Sequence, residues 1–506
     1  MDSLLNYKTY AGCFLIGALV VLAITPAIIR LARRIGALDH PNTRKVHSEV
    51  RPLLGGLAIF VGVWVPLMLL SFWDNLVTQR LAESWPMLVQ LFLAGLAMLA
   101  LGAWDDKVGL HAWWKLAVQV PVAVLLVGAG VSFGALTVPG WGSVELGWLG
   151  PLVTVLWIVG VTNALNIIDG IDGLASGVAF FISLTSAIAA LTFGNALLAL
   201  VLFSMAGACL GFLKYNFNPA RIFLGDTGSL FLGMTLAVVS VMANAKGTLA
   251  ASLFVPLLAL GYPIIDTLLT MARRSLQGKS WFKGDRGHIH HRLLALGLNH
   301  GQAALVLYGV CVLFCLLALG ALLDRTSVFA GGLVVVCGAV GTLLWKLGFG
   351  RYLSPSTVQR ERELYRKAQR VCEEAKHSLA GMSDPRQITG LLLEVCRGLG
   401  VRRVDLVQPV LGQTSALEVH WSDGALGEGA GALRLETFRF DKTGLTATVG
   451  LAGSGADEGL RLEYLALLSE VFYTAAQRLD GLLAANSSVK NPALPAMYQI
   501  QPSLVT

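Results

Sequence analysis

The sequence predicts an all-α polytopic membrane protein of about eleven transmembrane helices with a small cytosolic α+β domain at its C-terminal end. Three observations lead there. Of the 506 residues, 55% are hydrophobic and only 14% charged, against about 25% charged in soluble domains. From residue 1 to about 350, long apolar runs alternate with short polar loops. From about 351 onward the chain reads as soluble protein, as in Arg360-Glu361-Arg362-Glu363.

A membrane-crossing helix needs about 20 mostly apolar residues. Qualifying runs lie near 11–30, 53–73, 86–104, 116–134, 149–168, 174–192, 195–213, 229–245, 248–271, 302–323 and 327–347. They are nearly free of charge, with Asp266 the clear exception. The N-terminus has neither a strong basic segment nor a small-residue cleavage site, so the first run reads as a retained span.

Lysine and arginine concentrate in alternate loops. One set holds Arg33, Arg34, Arg44, Lys45, Arg51, Lys107, Lys115, Lys214, Arg221, Arg273, Arg274, Lys279, Lys283, Arg286 and Arg292; the other holds only Lys8, Arg80, Lys246 and Arg325. Positive loops stay cytoplasmic. This orientation places the N-terminus outside and the C-terminal appendage inside, and it accounts for the net charge of +7 without nucleic acid as a partner. The seven cysteines form no C-x-x-C pair and lie mostly in apolar segments, so they read as packing residues.

Four regions follow: a membrane body at 1–350, a helical linker at 351–382, a soluble α+β domain at 383–485 and a polar tail at 486–506. Within the appendage the pattern predicts a charged helix Arg351–Glu374 and an amphipathic helix Gln387–Leu399. Four strands are expected at Arg403–Val407, Ala416–Trp421, Ala432–Phe440 and Leu445–Leu451, then a helix Gly459–Leu482. This order loosely resembles a GAF-type regulatory fold.

The unusual polar clusters of the body all fall on the predicted cytoplasmic side. Asp105-Asp106 ends the third span, with Lys115 and Gln119 at the start of the fourth. Adjacent carboxylates at a membrane edge are costly unless a cation relieves them, as Mg²⁺ with a phosphate-bearing substrate would; a solvated helix end is the plainer reading. Asn163 and Asn166 share one helix face and precede Asp169-Gly170-Ile171-Asp172-Gly173. Those carboxylates suit a metal, a nucleobase or a ribose, although Asp-Gly favours turns anyway.

Gly225-Asp226-Thr227-Gly228-Ser229 opens the eighth span. It lets backbone approach a ligand and offers free N–H groups to phosphate, with Asp226 able to ligate Mg²⁺; helix capping is the alternative. The largest loop carries Gly284-Asp285-Arg286-Gly287-His288-Ile289-His290-His291-Arg292, which suits phosphate and sugar hydroxyls better than zinc, since no cysteine is near. Asp266 lies seven residues before Arg273, a spacing that suggests a structural ion pair. The first basic loop, with Lys45 and Gly55-Gly56, is a weaker phosphate or headgroup signal.

Taken in order, these motifs resemble the polyprenyl-phosphate N-acetylhexosamine-1-phosphate transferases, over about residues 10–350. The histidine loop is closer to the UDP-GlcNAc branch than to the peptidoglycan branch of phospho-MurNAc-pentapeptide translocase. The resemblance implies Asp226 and Asn166 as Mg²⁺ ligands, with Mn²⁺ an alternative ion. It implies Asp105 and Asp106 in catalysis or lipid-phosphate orientation, and Lys115 on substrate phosphate. Lys45, Asn163, Asp169, Asp172, His288, His290, His291 and Arg292 are implied in substrate binding. A third acid found in some members, D-D-x-x-D, is Gly109 here.

The implied reaction takes N-acetylhexosamine-1-phosphate, GlcNAc-1-phosphate first, from a UDP-sugar to undecaprenyl phosphate and releases UMP, in a bacterial inner membrane. The lipid phosphate attacks the sugar-bearing phosphorus directly or through an aspartyl-phosphate; direct attack is favoured, because that phosphate is already a nucleophile near neutral pH. The product would start a lipid-linked surface glycan such as O-antigen. A homodimer is compatible with the sequence. A transporter would carry ionisable groups near the bilayer midplane, and a membrane sensor would leave the acidic loops without purpose.

Overall fold

The computed structural model describes residues 2–39, 50–70, 72, 84–138, 142–245, 257–278, 287–323, 326–399, 401–409, 416–422, 433–440, 445–452, 467–479 and 482. It is mostly helical. In chain order the first unit contains α1 (Asp2–Ile35), α2 (Gly55–Leu70), α3 (Trp85–Val108), α4 (Ala112–Gly128), α5 (Leu149–Ile168), α6 (Leu174–Thr192), α7 (Ala196–Asn216), α8 (Gly225–Ala245), α9 (Gly261–Gln277, its last turns counted with the second unit), α10 (Ile289–Ala295), α11 (His300–Gly320) and α12 (Thr326–Lys346).

Among the described residues, eight helices are long and apolar enough to cross a membrane: α1, α3, α5, α6, α7, α8, α11 and α12. Two expected runs form the shorter apolar helices α2, 16 residues, and α4, 17 residues, each with an internal proline, Pro66 or Pro121. The expected run at 248–271 lies partly outside the described residues, and α9 begins at Gly261. Among the described residues, then, eight of the expected runs form helices of full spanning length and two more form the shorter apolar helices.

Packing places α8 at the centre. It runs against α3 and α5 and is the most enclosed of the spans, whereas α12 is almost wholly exposed, as a lipid-facing helix would be. In a bilayer, helices gain from close backbone approach at small residues. Gly207 and Gly211 of α7 meet the backbone of Phe14 and Ala18 in α1. Two short antiparallel pairs decorate the loops: β1 (Leu38–Asp39) with β2 (Arg51–Pro52), and β3 (Ala135–Val138) with β4 (Gly142–Glu145). The second hairpin was not legible as alternation in so short a segment.

The chain divides into two compact units, the second comprising 41–49, 273–287 and 348–506. In that unit α13 (Pro355–Gly381) extends past the expected end at Glu374, and α14 (Pro385–Gly398) follows. The strands are β5 (Val401–Pro409), β6 (Ala416–Ser422), β7 (Leu433–Phe440) and β8 (Leu445–Ala452). They form one antiparallel sheet in the order β6-β5-β8-β7. Cys372, Leu379, Ile388, Leu392, Val404, Val449 and Phe472 make its core with a helix at 467–479. The earlier part of the expected helix Gly459–Leu482 lies outside the described residues. Gln277 Nε2 donates to Glu361 at 2.9 Å at the start of α13.

Candidate functional site

Glycine sets the geometry. A Cβ on Gly56 of α2 would run into the backbone of Thr227 and Gly228, and one on Gly102 of α3 into that of Asp226 and Thr227. Backbone to backbone, α2 and α3 thus grip the start of α8. The grip is tied from the first loop as well: Phe223 N–H donates to Pro52 at 2.9 Å, and Gly55 and Gly56 N–H donate to Phe223 and Leu224, each at 3.1 Å. Gly225 has φ +70°, and a Cβ there would strike the Asp106 carboxylate.

A helix start leaves N–H groups without intrahelical partners. Here a different helix supplies the acceptor. Asp106 Oδ1 accepts Asp226 N–H at 2.8 Å, and Oδ2 accepts Thr227 N–H at 3.1 Å and the Thr227 hydroxyl. Both oxygens of Asp106 are therefore engaged in capping α8. The cap does not come from within the motif: Ser229 donates back to Gly225 at 3.1 Å, and the Asp226 side chain instead accepts from Lys115 and Asn166.

Lys115 lies between the carboxylates of Asp105 and Asp226, ion-paired to both. Asp105 also accepts the Leu110 N–H, which closes the α3–α4 turn. Asn166 Nδ2 donates to Asp226 Oδ1 at 2.9 Å and to Ser229 Oγ at 2.8 Å. In this placement Asn166 holds Asp226 in orientation. Asp169 lies just past α5, and its carboxyl is pushed well above the usual carboxylate range, first by burial and then by the charges of Asp226, Asp106 and Asp172. Asp105, Asp106, Lys115, Asn166, Asp169 and Asp226 are thus brought together.

The remaining expected residues form a flank. Asn163 donates to Gln119 Oε1 at 2.6 Å, one helical turn from Asn166. Asp172 Oδ2 accepts Asn218 Nδ2 at 2.9 Å and Ala220 N–H at 3.0 Å, tying the Asp169–Gly173 turn to the loop before α8. That loop contains a cis Asn218–Pro219 bond. Tyr308 of α11 donates to Gly173 C=O at 2.6 Å. His290 is buried against Gly170 of the same turn, and burial, then neighbouring His291, His288 and His300, holds it well below the usual histidine value. Arg292 Nη1 donates to Leu347 C=O at 2.8 Å. Lys45 and residues 284–286 of the histidine loop lie outside the described residues.

Thr227, Ser229 and the facing Gly56 and Gly102 carry the geometry, although none of them is among the site residues that the resemblance implies. Only their small size and their place in glycine-punctuated motifs could have marked them. For Asp266 the sequence suggested Arg273; its carboxylate is engaged by the histidine loop, at His288 Nδ1, 3.1 Å, and Ile289 N–H, 2.9 Å.

Among the described residues no three His, Cys, Asp or Glu side chains are arranged as a ready metal cage. That is compatible with Mg²⁺, which takes one or two carboxylates and completes its shell with water and substrate phosphate. Asp105, Asp106 and Asp226 against one lysine leave a local excess of negative charge and of hard oxygen donors. The donor set fits.

Comparison with known proteins agrees with this picture. Residues 88–244 match the family model "Glycosyl transferase family 4". The chain is 40% identical over 307 residues to the "Probable undecaprenyl-phosphate N-acetylglucosaminyl 1-phosphate transferase" of Bacillus subtilis (strain 168), covering 60% of this chain and 83% of that protein. It is 35% identical over 320 residues to the "Decaprenyl-phosphate N-acetylglucosaminephosphotransferase" of Mycobacterium tuberculosis (strain ATCC 25618 / H37Rv), 58% of this chain and 78% of that one. It is 32% identical over 320 residues to the "Phospho-N-acetylmuramoyl-pentapeptide-transferase" of Moorella thermoacetica, 60% of this chain and 96% of that one.

Proposed function

The chain belongs to glycosyl transferase family 4, and from that premise we propose that it transfers GlcNAc-1-phosphate from UDP-GlcNAc to undecaprenyl phosphate, releasing UMP. The observation that carries this reading is the Asp105–Lys115–Asp226 constellation at the end of a bundle of membrane spans, in a chain 40% identical to a relative named for that reaction. Another UDP-N-acetylhexosamine is the second reading, since the Asp105–Lys115–Asp226 constellation is matched to the diphosphate that all such donors share.

Phosphoryl transfer asks a protein chiefly for positioning and for compensation of charge. Lys115 offers a fixed cation to the diphosphate. Asp105, the other partner of that ammonium, is the proposed acceptor of the lipid-phosphate proton. Asp106 fixes the start of α8 and through it Asp226. When bound by Asp226, with Asn166 as the second proposed ligand, Mg²⁺ would supply Lewis-acid neutralisation of the diphosphate. Lys45, Asn163, Asp169, Asp172, His288, His290, His291 and Arg292 are the proposed substrate contacts or their supports. The nucleophile is the lipid phosphate itself.

The same reading places the catalytic loops and the C-terminal unit in the cytoplasm with the N-terminus outside, because the lysine- and arginine-rich loops are the ones that carry the site. It includes eleven spans, a GAF-like regulatory role for the C-terminal sheet unit, and a homodimer as an option. Purified protein with radiolabelled UDP-GlcNAc, undecaprenyl phosphate and Mg²⁺ is expected to form a lipid-linked sugar diphosphate and UMP. No product from any UDP-N-acetylhexosamine would refute the reading.

A further inference from the structure

Asp266 is fully buried in α9. A buried carboxylate is strongly unfavourable unless charge or hydrogen bonds compensate it. Two of its partners come from one place, the histidine loop more than twenty residues along the chain. Oδ2 accepts from His288 Nδ1 at 3.1 Å, and Oδ1 accepts Ile289 N–H at 2.9 Å.

This grip fixes more than position. A proton held on His288 Nδ1 leaves Nε2 as the acceptor, so the carboxylate also selects the tautomer. Helix α10 starts at Ile289, and His288, its N-cap, makes no side-chain capping bond; Asp266 supplies that acceptor from outside. Thr270, one turn along α9, stands 3.2 Å from the same His288 nitrogen.

The restraint passes on through ring packing. The His288 ring stacks on His290 with centroids 5.7 Å apart and planes within 5°. His290 packs in turn on His291 at 4.3 Å, and its Nε2 is the first atom that a Cβ on Gly170 would meet. A continuous line of contacts therefore runs from Asp266 through His288 and His290 to the turn bearing Asp169 and Asp172.

We propose that Asp266 is a positioning residue for the sugar-nucleotide half of the site: it holds the His288–Arg292 loop against the Asp169–Gly173 turn without touching the reacting groups. This rests on the function proposed above. The test uses full-length purified protein. In Asp266→Ala, the KM for UDP-GlcNAc should rise about tenfold, the size of one lost charge-assisted hydrogen bond, while the KM for undecaprenyl phosphate stays within about twofold. Asp266→Asn keeps an acceptor for Ile289 N–H and lets His288 move its proton to Nε2, so it should recover most of the loss.

Amide hydrogen exchange gives a readout that needs no turnover. Exchange at 288–293 should quicken in Asp266→Ala while the rest of the chain keeps its protection. His288→Phe retains the stacked ring but cannot donate to Asp266; it should show the same local quickening and serves if Asp266→Ala does not accumulate. Parent-like exchange in these variants, or an equal rise of both KM values, overturns the proposal. If the parent itself transfers no sugar, the functional reading fails while the exchange result still decides the role of Asp266.

Discussion

The Asp106 carboxylate accepts the backbone N–H of Asp226 at 2.8 Å across 120 residues of sequence. One acid thereby caps the helix that presents another. The contact makes Asp106 an organiser of α8 and leaves Asp105 and Asp226 as the acids paired with Lys115.

Removal of that cap should register as instability before it registers as chemistry. Asp106→Ala is expected to destabilise the protein by about 1–2 kcal/mol, the usual range for a lost N-cap acceptor. Asp106→Asn, with one acceptor oxygen left, should fall between. Thermal unfolding in detergent checks the order, and an Asp106→Ala protein melting with the parent would contradict the capping role.

Asp226→Asn and Lys115→Gln should both lower turnover by about a hundredfold or more, the range for loss of a preorganised electrostatic partner in a transition state. Chelation of divalent ions should reproduce the loss in the parent, and added Mg²⁺ should reverse it. Near-normal turnover of Asp226→Asn would remove it as the essential ligand.

The raised pKa of Asp169 has a definite sign. The native state favours the protonated carboxyl, so stability is fully present at low pH and is lost as pH rises toward and through the native pKa. Asp169→Asn mimics the neutral form. With chelator present it should melt above the parent at pH 8, and the gap should close as the pH is lowered. Unfolding curves at several pH values measure this directly.

His290 has the opposite linkage. Its native pKa is depressed, so its contribution is present above pH 6.5 and is lost as pH falls below that value. The loss is at most about 1.4 kcal/mol per pH unit from this one group. His290→Gln should flatten the acid side of the stability profile; an unchanged slope would show that other groups set it.

Deletion of 356–506 should leave basal transfer intact, as every residue of the carboxylate cluster lies in the first unit. Complete loss of activity with the spans still folded would show that the C-terminal unit helps form the site.

The apolar runs and the four C-terminal strands were legible because each is local: hydropathy over about twenty residues and alternation over six or more report directly on burial. The observed strands lie within a few residues of the expected ones. The shorter helix α4 shows the limit of that reading, because an apolar run does not say where regular hydrogen bonding stops.

By itself the sequence determined which chemistry is available: aspartates, amides, lysines and histidines, gathered at the ends of the apolar runs and in the loops between them. Which aspartate does what was decided by tertiary structure. Lys115 meets Asp226 across 111 residues, Asn166 meets it across 60, and Asp266 takes His288 across 22. The two at Asp226 depend on helices packing closely on the start of α8 where glycine permits, at Gly56 and Gly102. Spacing along a chain cannot encode a contact that depends on how separate helices approach one another.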